Sequence, residues 1–253
     1  MTDARTLAYI NLYGILGTLE NLCELDPNAR ALLTNKKPIT IGFDVKGGPK
    51  ATLTFKNGFC RMEDGLNRKC NIMLPFSSCE KFNGMIDGTV TPIPSKGFQH
   101  IGFLLNSFTA LTDLLTKYLR PDPADLEDEE FFVTSTTLMF YLISVAIAQI
   151  GNNDAIGQFS AGHIPDGTIK MSIKDGPAVG IVVRNHHLIT LKKSPEQYRA
   201  IMEFGDIHLA RDLFDGKVNA IACIGEGTIV MGGMINMIDN VNRILDRVAV
   251  YLA

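Results

Sequence analysis

The sequence predicts an α+β protein in which one domain is written twice, over residues 1–120 and 131–253. Three observations predict it. Thr52–Gly58 and Lys170–Gly176 each alternate polar and apolar residues and end in Asn-Gly or Asp-Gly, the pattern of a half-buried strand entering a hairpin turn. Asn71–Gly88 and Arg199–Gly216 each read as a short strand, a capped helix and a closing Asp-Gly. Each half then ends on an amphipathic helix that closes in Tyr-Leu, at Tyr118-Leu119 and Tyr251-Leu252.

Leu7–Leu22 has the apolar spacing of a helix and opens the first half, and Phe131–Ile150 takes the equivalent place in the second. Gly58 and Gly176 stand 118 residues apart, whereas Gly88 and Gly216 stand 128 apart. The second half is therefore expected to carry about ten extra residues between those blocks. Ser77 with Glu80 makes a capping box, and Asp206 is the matching N-cap candidate, because a short oxygen-bearing side chain satisfies the free N–H groups of a first turn. Gly88 and Gly216 stand where a helix ends in a left-handed residue. The closing helices carry the stripes Leu104, Phe108, Leu111, Leu115, Tyr118 and Val241, Leu245, Val248, Leu252, the second widened by Ile244. Two prolines in Arg120–Ala124 and the acidic residues after them predict a linker over residues 121–130. Strands joined by short glycine turns imply a small mixed or antiparallel sheet in each copy, covered by helices on one face.

Composition narrows the function. Of 253 residues 46% are hydrophobic, enough for a sizeable core. Lys+Arg number 24 against Asp+Glu 27, and a net charge of −3 gives no basic surplus for nucleic acid or an anionic membrane. The five cysteines, Cys23, Cys60, Cys70, Cys79 and Cys223, form no C-x-x-C pair, and Met1–Leu25 lacks the pattern of a signal peptide. Free thiols in the reducing cytoplasm are expected. Phe131–Ile150 is long enough to span a bilayer, which takes about 20 apolar residues. Its Thr134–Thr137 run, Ser144 and Gln149 point to a buried core helix and not to stable membrane insertion.

Chemical motifs are weak. Gly225–Gly232 has the glycine spacing of a dinucleotide loop, but a strand-like Thr-Ile-Val-Met follows where a helix should open, so a hairpin turn is expected. Gly157–Gly162 has the wrong spacing for a nucleophile elbow. His186 and His187 would face opposite sides of a strand, and His208 beside Asp206 supplies too few ligands for zinc. No metal or cofactor is expected.

Thr168–Leu252 resembles the sterol carrier protein two domain. The resemblance rests on Ile169–Lys174 with Asp175-Gly176, on Ala200–Asp206, on Ala210–Lys217, and on Gly227–Gly233 before the last helix. Copy one resembles the family less strongly, through Phe76–Gly88 and Thr89–Gly97. Gly232-Gly233 departs from the Gly-Asp that the family often has there. The resemblance implies tandem sterol-carrier-like domains, each with an apolar tunnel between sheet and helices that takes a sterol, fatty acid or acyl chain.

The function expected is thus non-enzymatic binding or transfer of a lipid or other apolar small molecule. The candidate ligand-binding residues alternate along strands. In copy one they are Leu53, Phe55, Leu74 and Phe76. In copy two they are Ile169, Met171, Ile173, Met202, Phe204, Ile229 and Met231, with Met234 and Met237 nearby, where thioethers adapt to irregular apolar shapes. The alternative is a structural or interaction protein, a pseudo-dimer whose tunnels are filled by Phe59, Phe98, Phe103 and Phe108. An enzyme using Asp206, His208 or Cys223 at a pocket mouth is a third reading. The oligomeric state is left open.

Overall fold

The computed structural model describes residues 2–252. It is α+β and divides into two compact units, Met1–Thr134 and Ser135–Ala253.

The first unit opens with a continuous helical run whose winding changes along its length. Asp3 starts α1 (Ala4–Tyr9) by accepting the Thr6 N–H at 2.8 Å. A π-helical stretch (Ile10–Ile15), a 3-10 turn (Leu16–Thr18) and α2 (Leu19–Leu25) follow. The sequence predicts one amphipathic helix here, but Ile10, Leu12, Leu16, Leu19 and Leu22 are all buried. Asp26 then caps α3 (Pro27–Ala31), with proline at the first position, where no N–H is needed. Strands β1 (Ile39–Val45), β2 (Lys50–Lys56), β3 (Phe59–Asp64) and β4 (Ile72–Phe76) form a sheet of order β3-β2-β1-β4. β1 pairs antiparallel with β2 and parallel with β4, so the sheet is mixed. Helix α4 (Cys79–Ile86) is capped by Ser78, one residue later than the expected Ser77. After a loop come a 3-10 turn (Phe98–His100), α5 (Ile101–Phe103), a second π-helical stretch (Leu104–Phe108) and α6 (Thr109–Leu119). Phe43 of β1 packs against Phe82 of α4 and Phe108 of the π stretch, at centroid distances of 6.3 and 6.4 Å. Phe59 and Phe98, expected as fillers, are instead 51% and 62% exposed.

Residues 121–130 hold a 3-10 turn (Asp125–Glu127) and the first residues of α7 (Glu129–Asn153), which crosses the division between the units. α7 is long and apolar enough to cross a membrane, and 67% of its apolar window is buried inside the protein. Asp154 caps α8 (Ala155–Ala161). β5 (Gly167–Ile173), β6 (Ala178–Arg184), β7 (His187–Leu191) and β8 (Ala200–Phe204) follow, then α9 (Ile207–Phe214), capped by Asp206 as expected. α10 (Ala220–Gly225), β9 (Ile229–Gly233) and α11 (Ile235–Leu252) complete the chain, and the sheet order is β7-β6-β5-β8-β9. Along α11 the fully buried stripe is Met237, Val241, Ile244, Val248 and Tyr251, while Leu245 and Leu252 are only half-buried.

The two sheets repeat each other in register. Ile41 pairs with Leu53 and Ile72, and Ile169, 128 residues on, pairs with Ile181 and Ala200. The separation is 128 residues at every one of these positions, so the expected insertion between strand and helix blocks does not exist. Thr52–Gly58 corresponds to Gly180–His186, not to Lys170–Gly176. The misreading has a physical cause. The β2–β3 turn is Asn57-Gly58 and the β6–β7 turn is Asn185-His186, all four with positive φ. His186, not a strand residue as expected, takes the left-handed place that glycine usually fills, so the sequence signal passes to the preceding turn at Asp175-Gly176. The added residues come after Gly216. There α10 and β9 replace a loop that in the first unit makes one isolated bridge, Met73 to Lys96. Gly97 and Gly233 close these segments alike. Each has φ near +90°, and a Cβ at either would lie 2.2 Å from a carbonyl oxygen, of Asn71 or of Arg199.

Candidate functional site

A cleft of about 350 Å³ lies in the first unit. Leu74 of β4, Leu16, Leu104, Phe108 and Leu115 are its buried apolar walls. Met85 and Ile86 at the end of α4, and Thr91 and Pro92 in the loop after it, form one side. Ile101 and Leu105, 39% and 67% exposed, stand at its mouth. Thr109, Thr112, Asp113 and Thr116 give it one polar side, along α6.

Both π-helical stretches of the unit border this cleft. Ile15 ends the first, and Leu104, Leu105 and Phe108 belong to the second. In the second stretch the Leu104 carbonyl accepts both the Thr109 N–H, five residues on, and the Thr109 hydroxyl at 2.9 Å. A π turn is wider than an α turn and shifts the side chains that follow, and such turns recur at functional sites. The corresponding helices of the second unit, α7 and α11, are α-helical throughout. No residue pattern marks a π stretch, so this part of the site is invisible in the sequence.

Strand pairing aligns most of the predicted ligand residues into rows. Met171 pairs with Met202 and Ile173 with Phe204, and β9 extends the rows through Met231 and Ile229. Ile169, Met171, Ile173, Met202, Phe204, Ile229 and Met237 are all buried, and Met231 and Met234 half-buried. Phe204 contacts Phe140 and Phe214 edge-on, at 6.5 and 6.0 Å between centroids. In the first unit Leu53, Phe55 and Phe76 lie in the core, with Phe55 against Phe103 and Phe108. Leu74 alone of the thirteen lines the cleft described above.

The polar groups elsewhere are engaged in structure. Asp206 accepts the Leu209 N–H at 2.8 Å, and Gly157–Gly162 lies on α8 and its end, not in an elbow. Gly225-Glu-Gly227 links α10 to β9, and is a helix-to-strand turn rather than the expected hairpin. All five cysteines are buried, and none is in a disulfide. Burial pushes the Cys23 thiol up to about 12, where it is a poor nucleophile at neutral pH. Among the described residues no group of three or more His, Cys, Asp or Glu could hold a metal ion.

No protein-family model and no curated relative matches the chain. Two solved structures show partial likeness. Sterol carrier protein 2 from Yarrowia lipolytica, in its apo form, is 19% identical, with a TM-score of 0.28, over 38% of this chain and 86% of that one. The stereoselective inverting sec-alkylsulfatase Pisa1 from Pseudomonas sp. is 13% identical, with a TM-score of 0.27, over 57% of this chain and 28% of that one.

Proposed function

We propose that the protein binds an apolar small molecule or lipid without transforming it, and that the first unit holds the ligand. The cleft carries this reading. It is apolar on most sides, and π turns that the described residues of the second unit lack form part of its walls. Its volume of about 350 Å³ falls at the low end of the range of ligand pockets, roughly 300–1,000 Å³. Each buried methylene contributes about 0.8 kcal/mol, so six of them supply roughly 5 kcal/mol with no polar contact. The second unit, with regular helices and packed apolar rows, is then a structural companion.

The test is calorimetric titration of the full chain with 1-dodecanol, beside a Thr112→Phe variant. Thr112 lines the cleft, is half-buried, and donates its hydroxyl proton only to its own helix backbone. A phenyl ring there fills the cleft without taking away a core contact. Saturable binding by the parent and a loss of at least tenfold in the variant, with the melting temperature held, support the reading. Equal uptake by both proteins places the ligand elsewhere.

A further inference from the structure

The polar side of the cleft has one chemical sense. Thr109, Thr112, Asp113 and Thr116 share a face of α6, at the three- and four-residue spacing of a helix. A hydroxyl has a single proton to give. Thr109 donates to the Leu104 carbonyl at 2.9 Å, Thr112 to the Phe108 carbonyl at 3.1 Å, and Thr116 to the Thr112 carbonyl at 2.9 Å. All three hydroxyls therefore offer only lone pairs to the cleft. Asp113 makes no hydrogen bond or ion pair among the described residues, and its carboxylate is an acceptor too. The cation on the next turn, Lys117, is drawn away. It pairs with Asp125 at 3.0 Å and lies 5.4 Å from the centroid of the Phe131 ring. The loop after α4, which also lines the cleft, brings few donors. The Thr89 and Val90 N–H groups both go to the Gly84 carbonyl, at 2.8 and 2.9 Å, and Pro92 has no N–H. The Thr91 hydroxyl is neutral and can accept as readily as donate.

From this we infer that the ligand is an apolar chain ending in a protonated amine, received by Asp113 with the threonine hydroxyls around it. An ammonium brings three donors and the opposite charge to this surface. A fatty-acid carboxylate brings a like charge and meets only the neutral donors of Thr91. The inference rests on the proposed binding of an apolar ligand in this cleft.

The experiment titrates the full chain with dodecylamine, dodecanoate and 1-dodecanol, each below its micelle concentration, at neutral pH. The three share one alkyl chain, so the apolar contribution cancels. Dodecylamine is expected to bind roughly tenfold more tightly than dodecanoate, and Asp113→Asn to weaken the amine about fivefold and dodecanol by less than about twofold. Asp113→Lys should reverse the order of the two charged ligands. Dodecanoate binding as tightly as the amine, or an amine-to-dodecanoate ratio unmoved by Asp113→Asn, overturns the inference. Failure of this order with dodecanol still bound overturns the head-group assignment alone. Failure of all three ligands to bind overturns the apolar-ligand reading as well.

Discussion

Asp26 and Asp154, 128 residues apart, each begin a short helix and each receive a tyrosine hydroxyl from the last helix of their own unit. Asp26 accepts the Asn28 N–H at 2.7 Å and the Tyr118 hydroxyl at 3.1 Å. Asp154 accepts the Ile156 and Gly157 N–H groups, the Tyr251 hydroxyl at 2.7 Å and the Arg247 guanidinium at 3.0 Å. Burial alone would raise the Asp154 carboxyl, but the Arg247, Gly157 and Tyr251 hydrogen bonds outweigh it and hold it below its usual value. A carboxyl lowered by folding adds stability above its unfolded pKa, about 3.9, and loses it as pH falls through the folded value. Asp154→Asn should therefore cost about 1 to 3 kcal/mol at neutral pH, since it leaves the half-buried Arg247 without its counter-charge. The difference between variant and parent should shrink below about pH 4, as acid-dependent denaturant melts would record. Tyr118 has the opposite sign. Burial, the Asp26 charge and the bond to Asp26 push its phenol up to about 12 from 10.0. Its contribution is complete below about pH 10 and lost as pH rises from there toward 12. Tyr118→Phe should cost about 1 kcal/mol at neutral pH and flatten part of the alkaline loss.

At the scale of elements, two glycines and two helical distortions carry the consequences. Gly233 has φ +82°, and a Cβ there would sit 2.2 Å from the Arg199 carbonyl oxygen. Gly233→Ala should destabilise the protein by more than about 1 kcal/mol, through strain and through displacement of β9 from β8, measurable by chemical denaturation. Gly232→Ala next to it, whose Cβ would meet only the Ile201 side chain at 3.3 Å, should cost less. Much of this level was legible in the sequence. Asp206, Gly88 and Gly216 mark helix ends because caps and left-handed residues have a strong chemical preference, and the structure uses all three. The alignment of hairpins was not legible, since His186 does at one turn what Gly58 does at the other. Nor were the π stretches, because the change from an i→i+4 to an i→i+5 hydrogen bond leaves no mark in the residue pattern. Residues of both π stretches line the cleft in the first unit. Leu74, which strand alternation selects, lines the cleft; Leu104, Leu105 and Thr112 line it too but carry no sequence signal of their own, Leu104 because the helical stripe reads as core.

At the scale of the whole chain, the two units share the order and register of four strands and differ in their helices, which is why the ligand is proposed to lie in the first unit. Strand order and register repeat, whereas the π stretches lie in the first unit alone among the described residues. A chain in which both units bind would take up two ligands, and this account requires one. The most direct measurement is native mass spectrometry of the purified protein, with and without added long-chain ligand, followed by organic extraction of whatever travels with it. The account predicts one apolar molecule per chain, displaced in Thr112→Phe. A chain that stays at its bare mass with every ligand offered would contradict it, as would two equivalents retained equally by parent and variant.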